Sequence, residues 1–200
     1  MENKTKTSIL VCIDMQRDFV YGSLKNDAAK DIIPNLIGKL NNFDGEYIIF
    51  TRDTHSEDYL YSKEGEKLPV KHCVQGTAGW DLIPQIADFI NQNLVTRKHT
   101  IMVIDKPTFG SVEKDRNGNS LISVVKTIVG DKDNVSIELV GTCTGICVVS
   151  NALLLKAFFY DTADITVDAS CCACITEETH QAALTTMECC QINVINRKVK

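Results

Sequence analysis

The sequence predicts a three-layer α/β fold in which helices cover both faces of a parallel β-sheet. Short apolar runs rich in β-branched residues recur along the 200 residues. Each run ends at a polar or small residue, as buried parallel strands often do. Helical patterns separate the runs, and this alternation indicates βαβ units, whose crossover helices pack on the sheet.

The strand candidates differ in strength. Residues 8–14, 46–51 and 136–142 are strong candidates, and residues 100–105, 164–169 and 191–195 are weaker ones. Helical patterns lie at about 27–42, 81–93, 119–130, 145–160 and 176–190. Because a chain of this length buries one sizeable core, we expect a single domain over residues 1–200.

The composition favours a small-molecule partner. With 21 basic and 26 acidic residues and no long basic block, the chain has no electrostatic reason to bind nucleic acid. No apolar stretch approaches the ~20 residues of a membrane span, and the N-terminus lacks the features of a signal peptide. Nine cysteines, an odd number, are more typical of free thiols in a cytoplasmic protein than of a disulfide framework.

Several reactive side chains stand where predicted strands end. Asp14, Asp53 and Lys106 each follow an apolar run, and Cys143 and Cys147 follow another. Ligands of parallel α/β sheets bind outside the carboxyl ends of the strands. We therefore expect these residues to meet at one edge of the sheet.

Two cysteines compete for the role of a nucleophile in the segment GTCTGICVVSNA. Thr144 is expected to cap a helix, so that Cys147 falls in the first helical turn. The positive end of the helix dipole and the free N–H groups there would lower the thiol pKa and could form an oxyanion hole. The alternative is a small buried cysteine that packs against a helix start.

Asp14 and Lys106 are candidates for acid–base chemistry. A carboxylate at the end of the strand ILVCID is a candidate general base, although an ordinary turn-forming Asp fits as well. Lys106 precedes Pro107, and beside a carboxylate and a thiol its ammonium would stabilise developing negative charge. Taken alone, Lys106 is an ordinary solvated loop residue.

The loop after the second strand offers ligands for a metal ion. The candidates are Asp53, His55, Glu64 and His72. Asp-x-His places two ligands on one extended segment, and a carboxylate with an imidazole from the next loop would complete a site for an ion such as Zn²⁺. Solvated loop residues are the alternative.

Other cysteines and histidines receive a plainer interpretation. In the groups 171–174 and 189–190, adjacent cysteines on one strand would face opposite ways, so small buried hydrophobic residues are favoured over a zinc site. His99 and His180 have no ligand-like neighbours in sequence, and we expect both at the surface.

Taken together, these motifs resemble the isochorismatase-like superfamily of cysteine hydrolases and, within it, the nicotinamidase-type amidohydrolases. The resemblance runs from about Ile9 to Ile195 and keeps the family order. The motifs are DMQRDF, DTH, HCVQGTAGW, DKPTFGS and GTCTGICVVSNA.

The resemblance implies a six-stranded sheet and a triad in which Asp14 takes the proton of the nucleophile Cys147 while Lys106 holds both in charged form. The oxyanion hole would be the backbone N–H groups of Cys143 and Cys147, with a non-proline cis peptide bond at Thr142–Cys143. An acyl-enzyme would form as ammonia or an amine leaves, and water would release the acid.

The same resemblance implies a divalent metal, zinc in the first place and otherwise iron or manganese. Its ligands would be Asp53, His55 and His72, with Glu64 as a fourth. An apolar wall around a flat ring would come from Phe19, Leu24 and Phe109. Relatives are commonly homodimers or homotetramers, which is what we expect here.

Three alternatives stay open within this resemblance. The substrate would be nicotinamide or another small amide, such as a carbamoyl amine or a ureide. A catalytically silent binding protein on the same fold is the third possibility. True isochorismatases are disfavoured, because that branch does without the nucleophilic Cys.

Overall fold

The computed structural model describes residues 6–198 and contains one sheet of six parallel strands. The strands are β1 (Thr7–Ile13), β2 (Tyr47–Asp53), β3 (Thr100–Lys106), β4 (Val135–Thr142), β5 (Ala163–Ala173) and β6 (Asn193–Ile195). The helices are α1 (Arg17–Val20), α2 (Asp27–Asp31), α3 (Ile33–Asn42), α4 (Lys63–Lys67), α5 (Pro84–Thr96), α6 (Leu121–Val129), α7 (Val149–Phe158) and α8 (Glu177–Cys189). The strand order is β3-β2-β1-β4-β5-β6, so the predicted six-stranded parallel sheet is confirmed.

Strand β1 lies in the middle of the sheet and contributes to both layers of core. Ile9, Val11 and Ile13 pack in one hydrophobic cluster with α6, α7 and α8. Leu10 and Cys12 face the other way and pack in a second cluster with α2, α3 and α5. This alternation follows from the two-residue period of a strand. The layers are therefore helix, sheet and helix, as predicted.

The order of the strands reverses between β1 and β4, and a crevice opens at such a point. Gly141 lies beside Ile13 there, with a positive φ of 117°. A Cβ atom on Gly141 would come within 2.1 Å of the Ile13 carbonyl oxygen. Glycine is thus required for the end of β4 to approach the end of β1.

Some boundaries differ from the prediction. Strand β5 continues to Ala173 rather than ending at residue 169, because small buried cysteines continue the strand where the β-branched signal stops. The pattern 27–42 forms two helices, α2 and α3, which meet at Ile32. Pro34 lies in the first turn of α3, where a missing N–H is tolerated.

All nine cysteines are free thiols. Cys171, Cys172 and Cys174 are buried, as predicted. The prediction is wrong for Cys189 and Cys190, which are exposed, because they lie at the surface end of α8.

The prediction of a surface position is also wrong for His99, which is buried. Its Nδ1 atom lies 2.8 Å from the Gly45 carbonyl oxygen, and its backbone N–H donates to Asn93 Oδ1 at 2.9 Å. The ring also packs against Phe43 and Phe89. Burial of His99 is therefore compatible with its Nδ1 atom and its backbone N–H, because both have partners.

Within residues 6–198, no helix is both long enough and apolar enough to cross a membrane. The prediction about the N-terminal sequence concerns in part residues 1–5, which lie outside the described residues. The organisation as one domain over residues 1–200 stays a prediction.

Candidate active site

Asp14, Lys106 and Cys147 meet at the carboxyl edge of the sheet. Asp14 follows β1, Lys106 ends β3 and Cys147 lies in the turn after β4. Lys106 Nζ lies 2.6 Å from Asp14 Oδ2 and 3.5 Å from Cys147 Sγ. All three are buried, with Asp14 and Lys106 at 0% exposure. Three residues that follow or end different strands in the sequence are thus in contact in the structure, with Lys106 between Asp14 and Cys147.

The two carboxylate oxygens of Asp14 have different surroundings. The Thr51 hydroxyl donates to Oδ1 at 2.6 Å. Oδ2 lies beside the charge of Lys106 but has no hydrogen bond of good geometry among the described residues. Asp14 has a positive φ of 49°, an uncommon conformation that occurs at functional sites. Oδ2 is therefore the Asp14 oxygen that is available to accept a proton.

Burial dominates the proton affinity of this group. It raises the pKa of the Cys147 thiol well above its ordinary value; Lys106 opposes this and Asp14 adds to it. Burial also raises the pKa of Asp14, against the opposing charge of Lys106. For Lys106, burial lowers the pKa, but Asp14 and Cys147 raise it further, so the net shift is upward. The pKa of the Cys147 thiol is thus shifted upward by burial, opposite to the lowering predicted from the helix start.

The turn that carries Cys147 is built differently from the expected helix start. Residues Thr144–Val148 form a π-helical turn that leads into α7. Thr144 does not cap it; its hydroxyl lies 2.9 Å from His180 Nδ1 instead. His180 is accordingly half-buried rather than at the surface, so that prediction is also wrong. The peptide bond Thr142–Cys143 is cis, as the resemblance implied.

Asn151 connects the nucleophile turn to the loop after β3. Its Nδ2 donates to the carbonyl oxygens of Cys147 at 2.8 Å and Phe109 at 2.9 Å. Its Oδ1 accepts from the Ser111 N–H at 2.9 Å. Asn151 had not been predicted; its sequence signal is an amide within the apolar segment VVSNALLL, since buried amides need partners.

Gln16 connects the end of β2 to the segment at Trp80 through its side-chain hydrogen bonds. Its Nε2 donates to the carbonyl oxygens of Asp53 and Trp80, each at 2.9 Å, and its Oε1 accepts from the Asp53 N–H at 2.7 Å. The side chain is completely buried. Sequence reasoning missed Gln16, because its partners lie far along the chain.

Asp53, His55 and His72 form a compact group of metal-binding atoms, all within 4.8 Å of one another. Asp53 Oδ2 lies 2.9 Å from His55 Nε2 and 3.5 Å from His72 Nε2. Glu64 Oε1 lies 3.8 Å from His55 Nε2 and 3.9 Å from His72 Nε2, at the edge of the group. Two imidazoles and a carboxylate, with a second carboxylate nearby, fit a borderline divalent ion.

Neighbouring groups orient His72 and keep Asp53 ionised. His72 Nδ1 lies 2.8 Å from the Val70 carbonyl oxygen, which leaves Nε2 free for a ligand role. Burial alone would raise the pKa of Asp53, but Lys106 and the hydrogen bonds from His55 and His72 lower it. Asp53 is therefore a carboxylate at neutral pH.

A cavity of about 1180 Å³ contacts both groups. Asp53, His72 and Cys147 line it. Phe19, Leu24 and Phe109, the three residues expected around a flat ring, also line it. The cavity therefore brings a bound molecule to the thiol and to the metal-binding atoms at once.

Comparison with known proteins bears on this arrangement. The family model of the Isochorismatase domain matches residues 8–198. The chain belongs to the isochorismatase family. The predicted family is thereby confirmed, and the group Asp14, Lys106 and Cys147 lies at the carboxyl edge of an isochorismatase-family sheet.

Solved structures share the fold of this chain. A pyrazinamidase/nicotinamidase from Streptococcus mutans is 25% identical, with a TM-score of 0.75 over 94% of this chain and 100% of that chain. A pyrazinamidase of Pyrococcus horikoshii in complex with zinc is 23% identical (TM-score 0.68; 95% and 99% covered). PnC1 from L. infantum in complex with nicotinate is 22% identical (TM-score 0.74; 95% and 92% covered). No curated protein sequence matches the chain.

Proposed function

We propose that this member of the isochorismatase family is a cysteine amidohydrolase that converts nicotinamide to nicotinate and ammonia. The observation that carries the proposal is the contact of Lys106 with both Asp14 and Cys147 beside a cavity that also reaches Asp53 and His72. Family membership and the solved relatives indicate a hydrolase acting on C–N bonds. Nicotinamide is the substrate that the metal-binding group and the apolar wall favour.

Attack begins with a thiol rather than a thiolate. Because burial raises the pKa of Cys147, its proton moves to Asp14 Oδ2 as Sγ attacks the amide carbonyl carbon. Lys106 stays an ammonium and balances the negative charge that passes between sulfur and carboxylate. The backbone N–H groups of Cys143 and Cys147 are proposed to stabilise the oxyanion.

Collapse of the tetrahedral intermediate breaks the C–N bond. Asp14 then returns its proton to the leaving nitrogen, and ammonia departs while a thioester links the acyl group to Cys147. Asp14, again a carboxylate, takes a proton from a water molecule that attacks the thioester carbon. The C–S bond breaks, Asp14 gives its proton to the sulfur of Cys147, and the acid leaves and ionises to nicotinate in water.

Asp53, His55 and His72 are proposed to hold a divalent metal, with Glu64 as a fourth ligand. The ligand atoms and their spacing fit zinc, and iron or manganese accept the same set. An ion held by these residues would supply a Lewis acid beside the substrate ring. Phe19, Leu24 and Phe109 are proposed to pack against the ring of the substrate. Together with the four metal ligands, they would surround the substrate.

The test is ammonia release from nicotinamide by purified protein of measured metal content. Cys147→Ala should abolish release, whereas the matched control Cys190→Ala, at an exposed thiol, should not change it. Release that persists in Cys147→Ala would refute the covalent mechanism. If the metal-loaded wild type releases ammonia from a carbamoyl amine or a ureide but not from nicotinamide, the substrate is that amide instead. No release from any of these amides would favour the silent binding protein.

We also propose that the protein is a cytoplasmic homodimer or homotetramer. The nine free cysteines support a reducing compartment. Leu94 and Val95 on α5 are 70% and 85% exposed, which supports an apolar contact between copies of the chain at this helix. Light scattering on the purified protein measures the oligomeric state directly, and a monomeric mass would contradict this proposal.

A further inference from the structure

Cys143 and Cys174 form a pair of thiols that the proposed hydrolysis does not use. Their Sγ atoms lie 3.1 Å apart. The pair arises from the sheet, because β4 and β5 are parallel and Thr142 pairs with Ala173. The next residue of each strand therefore lies beside the other. No disulfide joins the two sulfurs in this arrangement.

The surroundings of Cys174 favour a thiolate. Its sulfur accepts hydrogen bonds from the Cys143 thiol and, at 3.3 Å, from the Gly145 N–H, and it lies 3.1 Å from the Thr179 hydroxyl. The hydrogen bond from Cys143 is the largest of the causes that lower the pKa of Cys174 to about 5. The two sulfurs thus share one proton, in contrast to Cys147, whose pKa is raised.

Small molecules can reach this pair through the substrate cavity. Cys143 and Ile175, which follows Cys174, both line the cavity. Hydrogen peroxide, which has only two heavy atoms, can therefore approach the pair from the Cys143 side by the route that a substrate takes. Cys174 itself is 4% exposed, so larger alkylating reagents have poorer access than a peroxide.

We propose that Cys143 and Cys174 are a modification site at which hydrogen peroxide or a small organic hydroperoxide converts the two thiols to a disulfide. Neighbouring parallel strands are about 4.8 Å apart, which lies inside the Cα separation of about 4.4–6.8 Å that a disulfide spans. Only a small approach of the two sulfurs is needed. The proposal is independent of the substrate that Cys147 attacks.

The chemistry is balanced by the peroxide. The deprotonated sulfur attacks one peroxide oxygen, the O–O bond breaks, and hydroxide or alkoxide leaves, so that a sulfenic acid forms. The second sulfur then attacks the sulfenic sulfur. An S–S bond forms, and the hydroxyl group leaves with the proton of the second thiol as water. The two sulfurs are oxidised by two electrons in all, and the peroxide is reduced.

The disulfide would act on the turn that carries the nucleophile. Cys143 begins that turn, and the Gly145 N–H would lose its charged acceptor when the Cys174 thiolate becomes a neutral disulfide sulfur. A Cβ atom on Gly145 would lie 3.1 Å from Cys174 Sγ, so this approach is already close. Oxidation therefore alters the backbone two residues before Cys147.

The test detects the bond by mass rather than by activity. In the Cys147→Ala variant, the tryptic peptide 133–156 carries Cys143 as its only cysteine, and Cys174 lies in the peptide 157–197. After treatment with hydrogen peroxide and blocking of the remaining thiols, we expect the two peptides to be joined, with a mass two hydrogens below their sum. Dithiothreitol should separate them.

Two further variants in the same background identify the partner sulfur. Cys174→Ser should abolish the joined peptide, while the matched control Cys172→Ser, at a buried thiol on β5 two residues earlier, should retain it. Circular dichroism of each variant establishes that it is folded. A joined peptide that persists in Cys174→Ser, or no joined peptide in folded Cys147→Ala, would overturn the proposal. Because no hydrolysis is measured, failure here is distinct from failure of the proposed amidase activity.

Discussion

Asp53 and Lys106 form an ion pair in which Asp53 Oδ1 lies 3.4 Å from Lys106 Nζ. The two residues are register partners on β2 and β3. The second oxygen, Asp53 Oδ2, faces His55 and His72. The Asp53 carboxylate therefore contacts both Lys106, beside Cys147, and the candidate metal ligands. A change in either group of residues alters the charged surroundings of the other.

Removing this shared carboxylate should abolish metal binding. We expect zinc at about 100 times its Kd to raise the free energy of unfolding of the wild type by about 2.7 kcal/mol. Asp53→Asn should lose this stabilisation and the bound zinc, measured by thermal unfolding and elemental analysis. Glu64→Gln, at the edge of the group, should lose less. Undiminished zinc in Asp53→Asn would remove Asp53 from the ligand set.

Asp14→Asn should lower kcat by about 10²–10⁴-fold, because an amide cannot accept the proton of Cys147. KM should change little, since the substitution preserves the size of the side chain. The measurement is steady-state ammonia release, with Asp31→Asn on the exposed side of α2 as the matched control. A kcat close to that of the wild type would exclude Asp14 as the general base.

Lys106→Met should destabilise the fold by about 3–5 kcal/mol, because it leaves the buried carboxylates of Asp14 and Asp53 without their cation. Urea denaturation measures this loss. Adding Asp14→Asn to Lys106→Met should recover part of it, since one uncompensated charge is then removed. If the single variant is as stable as the wild type, the ion pair does not hold the edge of the sheet together.

Asp168 supplies a pH-dependent contribution to stability away from the cavity. Burial would raise its pKa, but Lys39, 2.6 Å away, with Ser170 and Asn196 lowers it below the ordinary value. A lowered pKa in the folded state stabilises the fold above the unfolded-state value of about 3.9. That contribution is lost as the pH falls through the lower, folded-state pKa.

Asp168→Asn should therefore cost about 1.5–3 kcal/mol at neutral pH, the range for hydrogen bonds to a charged group. The difference from the wild type should shrink in acid, as the wild-type carboxyl group becomes protonated. Denaturation at several pH values measures this, with exposed Asp164→Asn on the same strand as the control. A difference that stays constant from neutral to acid pH would contradict the assignment.

Much of the fold and of the candidate site was predictable, because apolar runs mark buried strands and the carboxyl ends of parallel strands meet. Asp14, Lys106 and Cys147 were identified in this way. The direction of the Cys147 pKa was not, since the helix dipole can be inferred from sequence but the extent of burial cannot. Burial is a property of the assembled layers, and here it outweighs the nearby ammonium of Lys106.

Other features depend on contacts between distant segments. The partners of Gln16 lie on Asp53 and Trp80, and those of His99 lie on Gly45 and Asn93. The pair Cys143 and Cys174 depends on a shift of register between β4 and β5. No local pattern in a single sequence specifies such a shift.

The hydrogen bonds of Asn151 have a consequence for how the substrate range of this protein can change. Asn151 bonds to both the Phe109 and the Cys147 carbonyl oxygens, so the wall at Phe109 and the reactive sulfur move as one unit. A substitution that reshapes this wall would also displace the sulfur. New specificities are therefore more accessible to evolution, or to directed evolution, through Leu24 and Leu68, which lie on other segments that line the same cavity.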